Sequence, residues 1–176
     1  MMLDTLQQRI VATISAELGE KSKVSTHAGA LNLKEMKGKT IALPAIRVVL
    51  MGCANIEETE TGEMEAKARL AAFVVTKPQR GRNKADVSLE LVEGLIALIP
   101  SQMWEMENVH PAEKVKAENL YNAQLDREGL SMWVITWEQV VILGEDVWSG
   151  GQTPSEFYLA DDEGDFGQAP NYEQIK

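Results

Sequence analysis

Cysteine is almost missing. Cys53 is the only one among 176 residues, so no disulfide can form within the chain, and a reducing compartment is the simpler setting. Histidine is nearly as scarce. His27 and His110 stand far apart, without metal-ligand spacing and outside any nucleophile motif. Gly-x-Ser-x-Gly, His-Glu-x-x-His and a dinucleotide fingerprint are all absent, which removes the common routes to a hydrolase, a zinc peptidase or a nicotinamide enzyme. The expectation is a protein with no catalytic centre, no cofactor and no metal, and Cys53 reads as a small apolar residue. No apolar run approaches the roughly 20 residues that span a bilayer. Asp4, Gln7, Gln8 and Arg9 interrupt the N-terminal segment, which predicts no signal peptide and a cytoplasmic protein without a membrane partner. Positive charge is in deficit too. The chain has 17 Lys and Arg against 27 Asp and Glu, a formal net charge of -10. That argues against gripping nucleic acid as a general role, because cations must replace the condensed counterions.

What is present is a strand-rich pattern. Thr40 to Met51 and Glu63 to Thr76 are apolar runs joined by a polar stretch from Gly52 to Gly62, which predicts an antiparallel pair of strands. Pro44 inside the first run cannot donate to a ladder, so it marks an edge or a bulge. In the second run Glu65, Lys67 and Arg69 alternate with Met64, Ala66, Ala68 and Leu70, whereas Ala71 to Val75 is apolar on both faces. A strand that passes from half-wet to covered suggests a hairpin reaching beyond the body. Later, Glu113 to Leu125 alternates with one wet face and reads as a strand, Asp126 to Gly129 as a hairpin turn, and Leu130 to Leu143 as a third strong, central strand. Val24 to Thr26 is a candidate edge strand within an otherwise loop-like segment from Glu20 to Lys39.

Two helices complete the plan. Leu3, Leu6, Ile10, Ile14 and Leu18 recur at helical spacing. Asp4 and Gln7 are placed to cap that helix, and Gly19 to close it in a left-handed conformation. Asn83 is a good cap for a second helix from Lys84 to Ile99, with a stripe at Val87, Leu91, Leu95 and Leu98 widened by Leu89, Val92, Ile96 and Ile99, and stopped by Pro100. Met103, Trp104 and Met106 in the connector that follows read as core cover. The expected fold is α+β: a mainly antiparallel sheet of four to five strands with two helices packed on one face. The domain is expected to run over 1–147. Residues 148–176, with Glu156, Asp161, Asp162, Glu163, Asp165 and Glu173, form an acidic extension that is either disordered or docked on a body or partner.

Two stretches are candidate contact surfaces. The hairpin tip carries Glu57, Glu58, Glu60 and Glu63. It is either a solvated acidic loop or an arm that meets a neighbouring subunit. Behind the second strand, Lys77, Arg80, Arg82 and Lys84 place four cations within eight residues of an acidic chain. They precede a helix N-terminus, where the macrodipole disfavours positive charge by about 0.3–1 kcal/mol each, so helix stability does not account for them. The stretch is a solvated loop or a docking patch for an acidic surface. With one glycine and no Gly-Lys-Ser/Thr, it lacks a phosphate cradle.

The order of elements resembles the minor tail proteins of Mu-like prophages, a family related in fold to the lambda-type tail terminators. The likeness rests on Leu43 to Val48, Ala71 to Val75 with the basic loop behind, the aliphatic helix Val87 to Ile99, the strand Trp133 to Trp137 and the N-terminal helix, over about 1–147. It implies a non-catalytic subunit of bacterial cytoplasm, and of the virion tail once assembled. Such a subunit forms a ring, typically of six copies, that ends tail-tube growth and faces the head connector. Its implied partners are copies of itself, tail-tube and head-connector proteins, and DNA in the ring lumen near Lys77, Arg80, Arg82 and Lys84. The acidic composition leaves a second expectation open, a regulatory or inhibitory module for a basic protein partner.

Overall fold

In a computed structural model, the structure describes residues 1–28 and 42–145, together with the backbone of two short strands at 157–160 and 172–175. The chain divides into two compact units, Met1–Gly144 and Glu145–Lys176. In the second unit, strands Phe157–Ala160 and Tyr172–Ile175 pair antiparallel. Docking of the acidic extension, and the start of the first predicted strand at Thr40 and Ile41, lie outside the described residues.

The first unit is built on one five-stranded sheet. Its strands are β1 (Lys23–Thr26), β2 (Ala45–Glu58), β3 (Met64–Thr76), β4 (Glu113–Asn119) and β5 (Ser131–Leu143), in the spatial order β1-β2-β3-β5-β4. Only the β1–β2 pair is parallel. β3 and β5 match along their whole length, from Met64 opposite Leu143 to Thr76 opposite Ser131, with no shift of register. β5 is therefore an interior strand, paired on both edges, as expected of it. β2 is less regular. It slips against β3 between Leu50 and Gly52 and again between Ala54 and Glu57. Gly52 at the first slip has φ +147, a conformation that needs a missing Cβ.

Helices α1 (Met2–Leu18) and α2 (Lys84–Leu98) cover one face of this sheet. The stripe of α1 is fulfilled: Leu6, Ile10, Ile14 and Leu18 are buried on Ile46, Val48, Leu70, Val74, Ile135 and Trp137. α2 adds Val87, Leu91, Val92 and Leu95. α1 and α2 approach closely where Gly94 meets Leu18, whose Cδ2 lies 2.9 Å from the place a Cβ would take. The buried stripe of α2 is narrower than expected, since Leu89 and Ile96 sit on its exposed side. Two sheet-facing rows are enough for a helix lying on one layer.

Several local readings are corrected. The first helix has Met1 at its cap with no side-chain bond. Asp4 instead accepts from Gln8 Nε2 at 2.9 Å, because it already lies inside the helix. Gly19 is right-handed, at φ -66, and the chain leaves through Ser22, whose hydroxyl donates to the Leu18 carbonyl at 3.0 Å. The strand read over Glu113 to Leu125 ends at Asn119. Of the turn read at Asp126 to Gly129, Asp126 and Arg127 belong to a short helix, α3 (Ala123–Arg127), at whose start Asn122 Oδ1 accepts from the Leu125 amide at 2.8 Å, while Glu128 and Gly129, the latter at φ +67, make the turn that closes it. Asn122 is a cap, and a cap outcompetes alternation. α3 presses Leu125 onto Val75 and Met132, on the sheet face opposite α1 and α2.

The connector between α2 and β4 is pinned by one buried amide. Gln139 Oε1 accepts from the indole N–H of Trp104 at 2.6 Å and of Trp137 at 3.0 Å. Its Nε2 donates to the carbonyls of Gln102 and His110, each at 2.9 Å. Both ends of the amide are satisfied, as a side chain only 1% exposed demands. Trp104 is thus core cover, as its composition suggested, while Met103 is exposed.

Candidate functional site

The face of the sheet away from α1 and α2 changes character along β3. At the Thr76 end it is apolar, with Val75 and Met132 under α3. Toward the Met64 end, residues on that face become charged: Arg69 is opposite Glu138, and Lys67 opposite Val140. β4 adds Lys116, opposite Thr136, and Lys114, whose Nζ donates to Glu138 Oε2 at 2.8 Å. Lys67 reaches the same oxygen at 4.0 Å. The result is a cleft of about 220 Å³ lined by Met51, Arg69, Lys114, Lys116 and Glu138 among others. Lys114, Lys67 and Arg69 act on the Glu138 carboxylate, Lys116 lines the cleft beside them, and Glu113 lies opposite Glu138 on β4. The hydrogen bond from Lys114, with the fields of Lys114, Lys67 and Arg69, holds the Glu138 carboxyl below the usual carboxylate range, against a smaller opposing effect of burial. Lys114 is correspondingly pushed up, first by that hydrogen bond. At the other edge, Arg47 Nη1 donates to Ser25 Oγ at 2.6 Å, and partial burial lowers its affinity for the proton.

The acidic tip is an ordered turn. The Thr59 amide and hydroxyl both donate to the Glu63 carbonyl, at 2.8 and 3.1 Å. Thr61 Oγ1 donates to Glu63 Oε2 at 2.9 Å, and Gly62 closes the turn at φ +81. Glu57, Glu58 and Glu60 are exposed on this frame, and so is Ile56, at 58%.

The basic loop lies at the other end of β3. Since a strand rises about 3.3 Å per residue, the two charge clusters sit roughly 40 Å apart and do not meet within one chain. The four loop cations divide in two. Arg82 Nη2 contacts Glu90 Oε2 at 2.6 Å and Lys84 Nζ contacts Asp126 Oδ1 at 2.6 Å. Glu90 also accepts from Lys21 at 2.7 Å, and these two partners hold its carboxyl below the ordinary range. Lys77 and Arg80 are exposed and form no ion pair among the described residues. The cations that burden the N-terminus of α2 are therefore partly explained by carboxylates on α2 and α3.

Cys53 is half-buried against the core opposite Ala68. His110 is exposed, and its carbonyl serves Gln139. Among the described residues, no three His, Cys, Asp or Glu side chains gather as a metal site would require, and no helix is long and apolar enough to cross a membrane.

A family model described as "Bacteriophage Mu, Gp37" matches residues 2–141, nearly the whole of the first unit. The chain belongs to the bacteriophage Mu Gp37 family. It is thus a phage structural or tail-related protein. No curated protein matches the sequence. Within this Gp37-family fold, the cluster of Lys67, Arg69, Lys114 and Lys116 is the feature that sequence reasoning missed. Each pair was visible as alternate residues of a wet strand face. Their meeting depends on β5 lying between β3 and β4, which alternation does not reveal.

Proposed function

We propose that this Gp37-family chain is a non-catalytic tail-assembly protein with a terminator or completion role, acting in the virion as a ring that caps the tail tube and faces the head connector. The observation that carries this reading is the family match across 2–141. The separation of charge supports it. An ordered acidic tip and a basic loop at opposite ends of one strand cannot neutralise each other in one chain. Each is left to meet an unlike patch on another molecule, and head-to-tail contacts of that kind between subunits close into a ring when the rotation permits. In this reading the tip residues Glu57, Glu58 and Glu60 contact a neighbouring subunit. Lys77 and Arg80 face an acidic surface of a tail partner or the DNA passage, with Arg82 and Lys84 holding the loop in place. Kinship in fold with the lambda-type terminators belongs to the same proposal.

The test is light scattering after size-exclusion chromatography, with and without tail-tube protein, followed by electron microscopy of any assembly. Closed rings seated on tube ends are expected. A chain that stays monomeric at high concentration and binds no tube protein overturns the reading.

A further inference from the structure

The acidic tip of one subunit needs a receiving surface on the next, and the basic loop is a poor choice because half of its cations already hold carboxylates of their own chain. The cleft on the open sheet face is better matched. Arg69, Lys114 and Lys116 are exposed around Glu138, with Lys67 beside it and Glu113 opposite it on β4, so four cations face two carboxylates and the cleft keeps an excess of positive charge in a chain of net charge -10. Its apolar neighbour is Met51, 55% exposed. The tip presents the complement: Glu57, Glu58 and Glu60 beside Ile56, 58% exposed.

We infer that this cleft is the receptor for the acidic hairpin tip of a second copy of the chain, with carboxylates of the tip on Arg69, Lys114 and Lys116 and Ile56 against Met51. The inference rests on the ring reading and supplies its subunit contact. Tip and cleft are different surfaces, so the contact is heterologous and each copy both gives and receives. With both register shifts of β2 falling between them, Met51 and Ile56 of one chain are roughly 12 Å apart along the strand, beyond the reach of a disulfide within one chain.

The experiment is charge reversal in the full chain, read by sedimentation across a concentration series with and without tail-tube protein. Lys114→Glu with Lys116→Glu should raise the apparent dissociation constant at least tenfold. Glu57→Lys with Glu58→Lys and Glu60→Lys should do the same, and the two sets combined should recover most of the loss. Lys114→Gln with Lys116→Gln, a milder pair on an exposed edge strand, serves if reversal disturbs folding, and unfolding curves report on that. A second readout uses Cys53→Ser chains carrying either Ile56→Cys or Met51→Cys, one of them tagged; mixed disulfides should outnumber like-with-like ones. If the wild type assembles while the cleft variants assemble equally well, the inference is overturned and the ring stands. The same holds if the cleft variants lose only binding to duplex DNA, or if the combined set recovers nothing. If the wild type never assembles, the ring reading falls and takes the inference with it.

Discussion

The two faces of the sheet share a backbone and differ in almost everything else. One is sealed by α1 and α2, with Leu70, Ala72, Val74, Ile135 and Trp137 all at 0–1% exposure. The other is covered at one end by α3 and carries a cluster of cations at its opposite end. The same ladder thus supplies a core on one side and a surface of specific charge on the other. Alternation of side chains makes this possible, since neighbours on one strand face opposite solvents. The comparison shows where stability and association separate: substitutions on the helix side should act on folding, and those on the open side on contact with other molecules.

The strongest way to break the sealed face is Gln139→Leu. It strips partners from two indole N–H groups and two carbonyls at once, and a loss of about 3–5 kcal/mol in denaturant unfolding is expected. A result under about 1 kcal/mol would mean that the connector is not fixed by this amide. Leu70→Ala, which opens a cavity under α1 and α2, should cost about 3 kcal/mol. Its neighbour Arg69→Ala, on the open face, should change stability by less than about 0.5 kcal/mol while weakening self-association. Equal effects of the two on unfolding would erase the distinction between the faces. Asn83→Ala removes the cap that accepts from the Asp86 amide at 2.8 Å and should cost about 1 kcal/mol.

The smallest expected effect is one of pH. Glu138 has a folded-state pKa below its unfolded value, so its contribution is complete above the unfolded carboxylate value of about 4.3 and is lost as pH falls through the lower folded value. Glu138→Gln should therefore flatten the acid limb of a melting-temperature profile taken between about pH 3 and 6. An unchanged acid slope would show that Lys114 and Lys67 do not hold this carboxylate in solution.

Much of the fold was legible. The period of Leu6, Ile10, Ile14 and Leu18 is an α-helix's own, and both rows of β5 are apolar because α1 and α2 lie over one of its faces and α3 over part of the other. Errors gathered where a short polar residue decides the backbone. Asn122 caps a turn of helix inside what alternation reads as strand, and Asp4 sits one turn too late to be a cap. The surfaces were half legible. The acidic tip is local in sequence, and its exposure followed from composition. The basic loop was equally visible, yet its local sequence gave no sign that Glu90 and Asp126 would take two of its four cations.

By itself the sequence determined the long elements and the main buried side of each, because helical and strand periods are properties of neighbouring residues. It also determined the excess of acid and the place of both charged stretches. Only the tertiary structure decided that β5 runs between β3 and β4, and so that Lys67 and Arg69 stand with Lys114 and Lys116 about Glu138. Strand order is set by how distant segments bury their apolar rows together, and the charged residues on the opposite side are carried to wherever that burial leaves them.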